Sequence, residues 1–127
     1  MVKKISILGS TGSIGRNVFK IIDSSKKSFK INLLSANKNY SLICNQIKKY
    51  KPKFFIINNP NVFKRVKYKF RNHRVKIFKT FNKKNKNFKS DITISAIPGL
   101  AGLEPTIEMI KLSSKVLIAN KESVICG

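Results

Sequence analysis

Apolar positions along the chain alternate between short continuous runs and longer stretches in which they recur on one side of a helix. The short runs are Lys4–Leu8, Lys30–Ser35, Phe54–Asn58, Val75–Phe78, Ile92–Ala96 and Lys115–Ala119. Most are continuous rather than alternating, the pattern of strands buried on both faces. Between them, Ile14–Ser24 places Val18, Phe19, Ile21 and Ile22 along one helical side. Ser41–Tyr50 offers Leu42, Ile43 and Ile47, with Pro52 just beyond its end. Asn61–Phe70 offers Val62, Phe63, Val66 and Phe70, and Leu103–Leu112 offers Ile107, Ile110 and Leu112. Strands alternating with helices predict parallel pairing through right-handed crossovers, hence a doubly wound α/β fold with helices on both faces of a mostly parallel sheet. Thr80–Ser90 breaks the pattern and reads as a loop or a weak helix. No repeat and no Pro/Gly/Ser-rich linker divides the chain, so residues 1–127 read as one domain. The last strand and its polar cluster run to Gly127 without a closing helix, which reads as a cut before a further domain.

The first strand runs directly into Gly9-Ser10-Thr11-Gly12-Ser13-Ile14-Gly15 and then into the first helix. Backbone N–H groups at a helix N-terminus can meet the two charges of a pyrophosphate. Glycine serves where the chain turns tightly, where phosphate approaches the backbone, and where helix packs on strand. Thr11 and Ser13 add hydroxyls. The spacing is G-x-x-G-x-x-G, a departure from G-x-G-x-x-G, and the Gly-Lys-Ser/Thr ending of a nucleoside-triphosphatase loop is absent. A tight turn without a ligand is the alternative, but the position after the first strand is where a Rossmann-like dinucleotide site belongs.

The second strand ends in Ala36-Asn37-Lys38-Asn39. An acid at this place would take the ribose hydroxyls of NAD(H). A lysine between two amides instead suits the 2′-phosphate of NADP(H), unless Lys38 is simply one of many lysines. The last strand ends in Asn120-Lys121-Glu122-Ser123, at the strand C-termini where open α/β sheets gather ligands. Lys121 beside Glu122 suits an anionic substrate or a nicotinamide-side contact, with a surface ion pair as the plainer reading. Ala96–Gly102 supplies a further strand-to-helix turn on that edge.

Composition changes this picture in one respect. Lys and Arg number 27 against 5 acids, and no acid lies between Asp23 and Asp91. Such a field favours anionic partners. Phe54, Phe55, Phe63, Tyr68, Phe70, Phe78, Phe81 and Phe88 lie among these bases, as a nucleic-acid binder's stacking surface would require. The lysines are nonetheless spread through helices and strands rather than clustered in one motif, and drift toward Lys and Asn codons would give this pattern without nucleic acid. Cys44 and Cys126 are far apart and read as reduced structural thiols; His73 has no acid or cysteine nearby. No apolar run approaches the ~20 residues of a membrane span, and the first stops at Gly9, short of a signal sequence. A cytoplasmic protein without a membrane partner is expected.

Taken together, Ile7–Gly15, Ala36–Asn39, Gly99–Thr106 and Ile118–Ser123 resemble 1-deoxy-D-xylulose 5-phosphate reductoisomerase, and the Ala-Asn-Lys-Glu-Ser run is the most specific of them. The resemblance covers the family's N-terminal cofactor domain. It implies conversion of 1-deoxy-D-xylulose 5-phosphate to 2-C-methyl-D-erythritol 4-phosphate in non-mevalonate isoprenoid synthesis, with NADPH and Mg²⁺ or Mn²⁺. It further implies that Thr11, Gly12, Ser13 and Ile14, with Ser10 in the same loop, hold the pyrophosphate and nearby ribose. Asn37, Lys38 and Asn39 match the 2′-phosphate triplet, Asn120 and Glu122 the nicotinamide side, and Lys121 a substrate contact. Asn37 stands where glycine is common, and Pro98 is unusual in its turn. The metal ligands, the substrate phosphate pocket and the lid fall beyond Gly127, so no catalytic or metal-ligating residue is assigned within the chain. Alone, this part should be inactive. Another NADP-linked reductase, such as a semialdehyde dehydrogenase, is the alternative enzyme, although no cysteine sits in a catalytic turn. Whether the chain forms a homodimer is left open.

Overall fold

The computed structural model describes residues 2–25, 27–81, 88–97, 105, 106, 109 and 112–118. Strands β1 (Lys3–Leu8), β2 (Phe29–Ala36), β3 (Phe54–Ile57), β4 (Lys76–Phe78), β5 (Ser90–Ser95) and β6 (Ser113–Ile118) form one sheet in the order β4-β3-β2-β1-β5-β6, with every pairing parallel. Helices α1 (Ser13–Asp23), α2 (Tyr40–Tyr50) and α3 (Pro60–Lys69) connect the first four strands. The chain steps outward from β1 to β4, then returns past β1 to add β5 and β6. That reversal is the switch of a doubly wound, Rossmann-like fold, as the apolar pattern predicts.

The same reversal separates two cores. Steps in one direction put their right-handed crossovers on one face of a sheet. Accordingly Phe19 and Ile22 of α1, Ile43 and Ile47 of α2, and Val62 and Val66 of α3 pack with Ile5, Ile7, Leu34, Phe55 and Ile57. The opposite face holds Leu8, Leu33, Phe54 and Ile56 under Phe88 and Met109. Pro105, Thr106 and Met109 are helical, in the stretch where Leu103–Leu112 is expected to form a helix; the rest of that stretch lies outside the described residues.

Thr80–Ser90 covers this second face through aromatic anchors. Phe88 is fully buried, with its ring edge-on to Phe54 at 4.9 Å and to Phe78 at 5.6 Å, and Phe81 stands 6.3 Å from it. Residues 82–87 of this segment lie outside the described residues. These positions also revise the nucleic-acid argument. Phe54, Phe55, Phe70 and Phe88 are buried, so their rings cannot stack on bases; Tyr68 is the exposed large aromatic.

β2 is not the simple continuous run expected. Its register on β1 jumps from Ile5↔Ile31 to Ser6↔Leu33, so Asn32 is an inserted residue. The bulge lets Ile31 and Leu34 share a face while Leu33 enters the other core. Asn32 is buried, and its Nδ2 donates to Lys89 O at 3.1 Å and Ser90 Oγ at 3.4 Å, while Ser90 Oγ meets Ser6 Oγ. The expected apolar side of α1 is corrected too, because Ile21 is 66% exposed. Gly15, Phe19 and Ile22 define the buried face, and Ile21 falls off it.

Helix ends follow their cap residues. Asn59 Oδ1 accepts from Asn61 N and Val62 N, both at 3.1 Å, and Pro60 occupies the first helical position of α3. α2 closes on Lys51 in the left-handed region at φ 48, just before Pro52. An L-residue there is strained by roughly 1–2 kcal/mol, partly offset by the greater unfolded-state freedom of glycine. Lys51→Gly is therefore expected to raise stability by about 0.5 kcal/mol, seen as a higher urea midpoint at unchanged slope.

Candidate dinucleotide site

The loop from β1 to α1 is held by its neighbours before any ligand arrives. Gly9 N donates to Ser35 O at 3.0 Å and lies 3.1 Å from Ser35 Oγ, and Ser10 N donates to Ser35 O at 2.8 Å. Ser10 is fully buried; its hydroxyl donates to Gln46 Oε1 at 2.7 Å, and Gln46 Nε2 returns a bond to Ser10 O at 2.9 Å. Both donors of Ser10 are thus spent inside the protein. It thereby shapes the loop from inside the protein. Gln46 and Ser35 were not singled out from the sequence. The signal for Gln46 was present, however. It lies on the stripe of Ile43 and Ile47, where a buried amide needs a partner.

The three glycines do different work. Gly9 takes φ +78, and a Cβ there would stand 3.0 Å from Ile97 Cγ1 and 3.1 Å from Ala96 O. It therefore lets the end of β1 pass close to the end of β5, at the switch point of the sheet. A Cβ on Gly15 would overlap Gly9 O and stand 2.9 Å from Ser10 Cα, so α1 packs directly on the loop. Gly12 is different. Its φ is −76, it is exposed, and an added Cβ would meet only Gly9 O at an ordinary 3.7 Å. Among the described residues nothing demands a glycine there.

Gly12 is also the N-cap of α1, with no side-chain cap bond and no acid in the first turn. Among the described residues, nothing accepts from the N–H groups of Ser13, Ile14 and Gly15. Thr11 and Ile14 are half-buried and Ser13 is exposed. The loop presents uncapped N–H donors beside a glycine whose surface is open.

Asn37, Lys38 and Asn39 follow β2 on the same sheet edge, all exposed. Asn39 caps α2 by accepting from Leu42 N at 3.2 Å, which leaves its amide nitrogen to donate outward. Asn58 N donates to Ala36 O at 3.3 Å, tying the end of β3 against this triplet. Ser95 Oγ and Thr106 Oγ1, 2.5 Å apart, fix the start of the segment after β5. Asn120, Lys121, Glu122 and the turn at 98–104 lie outside the described residues. A cavity of about 470 Å³, lined by residues including Lys4, Lys89, Asp91 and Ser113, opens at the opposite end of the strands and has no part in this site. Among the described residues there is no grouping of His, Cys, Asp or Glu fit to hold a metal ion, and no helix long and apolar enough to cross a membrane. His73 is exposed against Phe70, and Cys44 is a buried free thiol.

A glycine turn at the switch point, an uncapped helix start and a lysine between two amides after the second strand give this Rossmann-like α/β protein a candidate dinucleotide site. The family model described as 1-deoxy-D-xylulose 5-phosphate reductoisomerase matches residues 5–127. The chain belongs to that family. It is 45% identical over 130 residues to 1-deoxy-D-xylulose 5-phosphate reductoisomerase of Pelagibacter ubique, covering 99% of this chain and 34% of the relative. The Wolbachia pipientis wMel enzyme of that name is 35% identical over 128 residues, with 99% of this chain and 33% of the relative covered. Among solved structures, the reductoisomerase from Zymomonas mobilis in complex with NADPH superimposes with a TM-score of 0.85 at 26% identity, over 98% of this chain and 34% of that one. A reductoisomerase in complex with NADPH, fosmidomycin and magnesium shares the fold, with a TM-score of 0.85 at 23% identity, over 98% of this chain and 31% of that one. The chain spans about a third of the length of the relatives it matches.

Proposed function

We propose that this chain is the NADPH-binding part of an enzyme that converts 1-deoxy-D-xylulose 5-phosphate to 2-C-methyl-D-erythritol 4-phosphate. Gly12 carries the proposal: a glycine required by neither its backbone angle nor packing among the described residues leaves room for a group that approaches the backbone closely. The N–H groups of Ser13, Ile14 and Gly15 would hold the pyrophosphate, with the Thr11 and Ser13 hydroxyls beside them. Asn37, Lys38 and Asn39 would hold the 2′-phosphate. Asn120 and Glu122 are assigned to the nicotinamide side and Lys121 to the substrate by family membership. When bound, NADPH supplies the hydride that reduces the rearranged aldehyde.

Magnesium or manganese is assigned to the whole enzyme, since the described residues offer it no ligand set. On this reading, residues 1–127 bind cofactor but do not turn over substrate. A cytoplasmic setting is part of the proposal.

The test is a substitution whose effects on stability and on binding have opposite signs. Gly12→Asp gives α1 a carboxylate cap and is expected to stabilise the protein by about 1 kcal/mol. The same carboxylate occupies and repels the pyrophosphate position, so NADPH affinity is expected to fall about 100-fold by fluorescence titration. Undiminished NADPH binding in a stabilised variant would remove the pyrophosphate from this loop. Duplex DNA binding more tightly than NADPH at ~150 mM salt would replace the cofactor reading with a polyanion one.

A further inference from the structure

Lys38 provides one positive charge for a 2′-phosphate that carries roughly −1.5 to −2 near neutral pH. A second cation stands close by on a different helix. Tyr40 is the first residue of α2, immediately after the triplet, and its N–H donates to Lys38 O at 2.9 Å. The guanidinium of Arg65, from α3, lies over the Tyr40 ring with Cζ 3.9 Å from the centroid. Lys69, one turn further along α3, places Nζ 5.9 Å from the same centroid. The end of β3 that leads into α3 is tied to the triplet by the bond from Asn58 to Ala36.

The manner in which Arg65 is held matters. Stacking uses the flat face of the guanidinium and leaves the N–H donors in its plane unspent. Among the described residues Arg65 has no hydrogen bond or ion pair, and the one ion pair present joins Lys49 to Asp23 elsewhere. An arginine fixed by an aromatic ring, not by a carboxylate, keeps its full charge and its fork available to two oxygens of a phosphate.

We propose that Arg65, held on Tyr40, is a second 2′-phosphate contact and a determinant of NADPH over NADH preference. This rests on the reading of Asn37–Asn39 as the 2′-phosphate site and extends it to α3. Arg65 is exposed, so its replacement should leave the fold intact.

The probes are 2′,5′-ADP and 5′-AMP, which differ in the 2′-phosphate, titrated calorimetrically against the protein and its variants. Arg65→Gln is expected to weaken 2′,5′-ADP about tenfold, in line with loss of one charged hydrogen-bonding partner, and to leave 5′-AMP within twofold. Arg65→Lys, which keeps the charge but loses the planar fork, is expected to recover part of the loss. A change of less than twofold for 2′,5′-ADP in Arg65→Gln, with Lys38→Gln still weakening it, overturns the role of Arg65 alone. An equal loss for both probes also overturns it, because Arg65 would then act on the adenosine or the fold. If the unsubstituted protein binds 2′,5′-ADP no better than 5′-AMP, the 2′-phosphate site itself fails and this proposal fails with it.

Discussion

Gly15→Ala is expected to lower the unfolding free energy by about 1–2 kcal/mol, read from urea denaturation monitored by far-UV circular dichroism. Two effects compete. Alanine in a helix is favoured over glycine by roughly 1 kcal/mol from backbone entropy. Against this, the new methyl would overlap Gly9 O and press on Ser10 Cα at 2.9 Å and Ser10 C at 3.0 Å. These are backbone atoms, held by bonds to Ser35 and Gln46, so they cannot swing aside as a flexible side chain would. Overpacking of this kind costs roughly 1–3 kcal/mol and sometimes more, which exceeds the helical gain. A neutral or stabilising result would mean that α1 can move off the loop freely, and the close packing assigned to Gly15 would be wrong.

Charge reversal at Lys38 has the larger consequence for binding. Lys38→Glu is expected to lower NADPH affinity about 100-fold and leave NADH affinity unchanged or slightly improved. The substitution changes the local charge by two units beside a group bearing nearly two negative charges. At about 4 Å, each unit pair is worth about 1 kcal/mol even in bulk water, before salt screening. A net loss of about 2–3 kcal/mol follows. The introduced carboxylate could also accept from the ribose hydroxyls that NADH retains. Equal affinity for the two cofactors in the unsubstituted protein, unaffected by the change, would remove Lys38 from the site.

Much of the fold was legible because both faces of the sheet are covered. Continuous apolar runs such as Phe54–Asn58 leave little doubt about a buried strand, and each of the six expected strands forms to within a few residues. What periodicity could not show was an inserted residue. Asn32 interrupts an otherwise apolar run without changing its length, and only its reach to Lys89 and Ser90 shows why an amide belongs there. Thr80–Ser90 was opaque for a related reason. Its cover of the second face depends on isolated rings, Phe81 and Phe88, and two anchors make no periodic pattern.

In the site, the glycines were legible as a set but not individually. Spacing alone cannot separate a glycine that a positive φ demands from one that packing demands, or from Gly12, which neither demands. Ser10 illustrates the same limit. A serine in a phosphate loop suggests a ligand donor, yet its hydroxyl donates to a glutamine on α2, 36 residues away. Arg65 was hidden in a chain where basic residues are everywhere, and its stack on Tyr40 distinguishes it.

The placement of β1 at the switch point also sets the order in which the sheet can be completed. On one side β1 meets β2, and the bond from Gly9 to Ser35 spans 26 residues; on the other it meets β5, and the bond from Lys4 to Asp91 spans 87. Closing the longer loop costs about 1 kcal/mol more in chain entropy. As the chain leaves the ribosome, β1 to β4 can therefore assemble while the far edge of β1 still lacks its neighbour. An apolar strand with one open edge invites pairing with another chain. The interval before Ser90–Ser95 emerges is thus one in which β1 is exposed to mispairing.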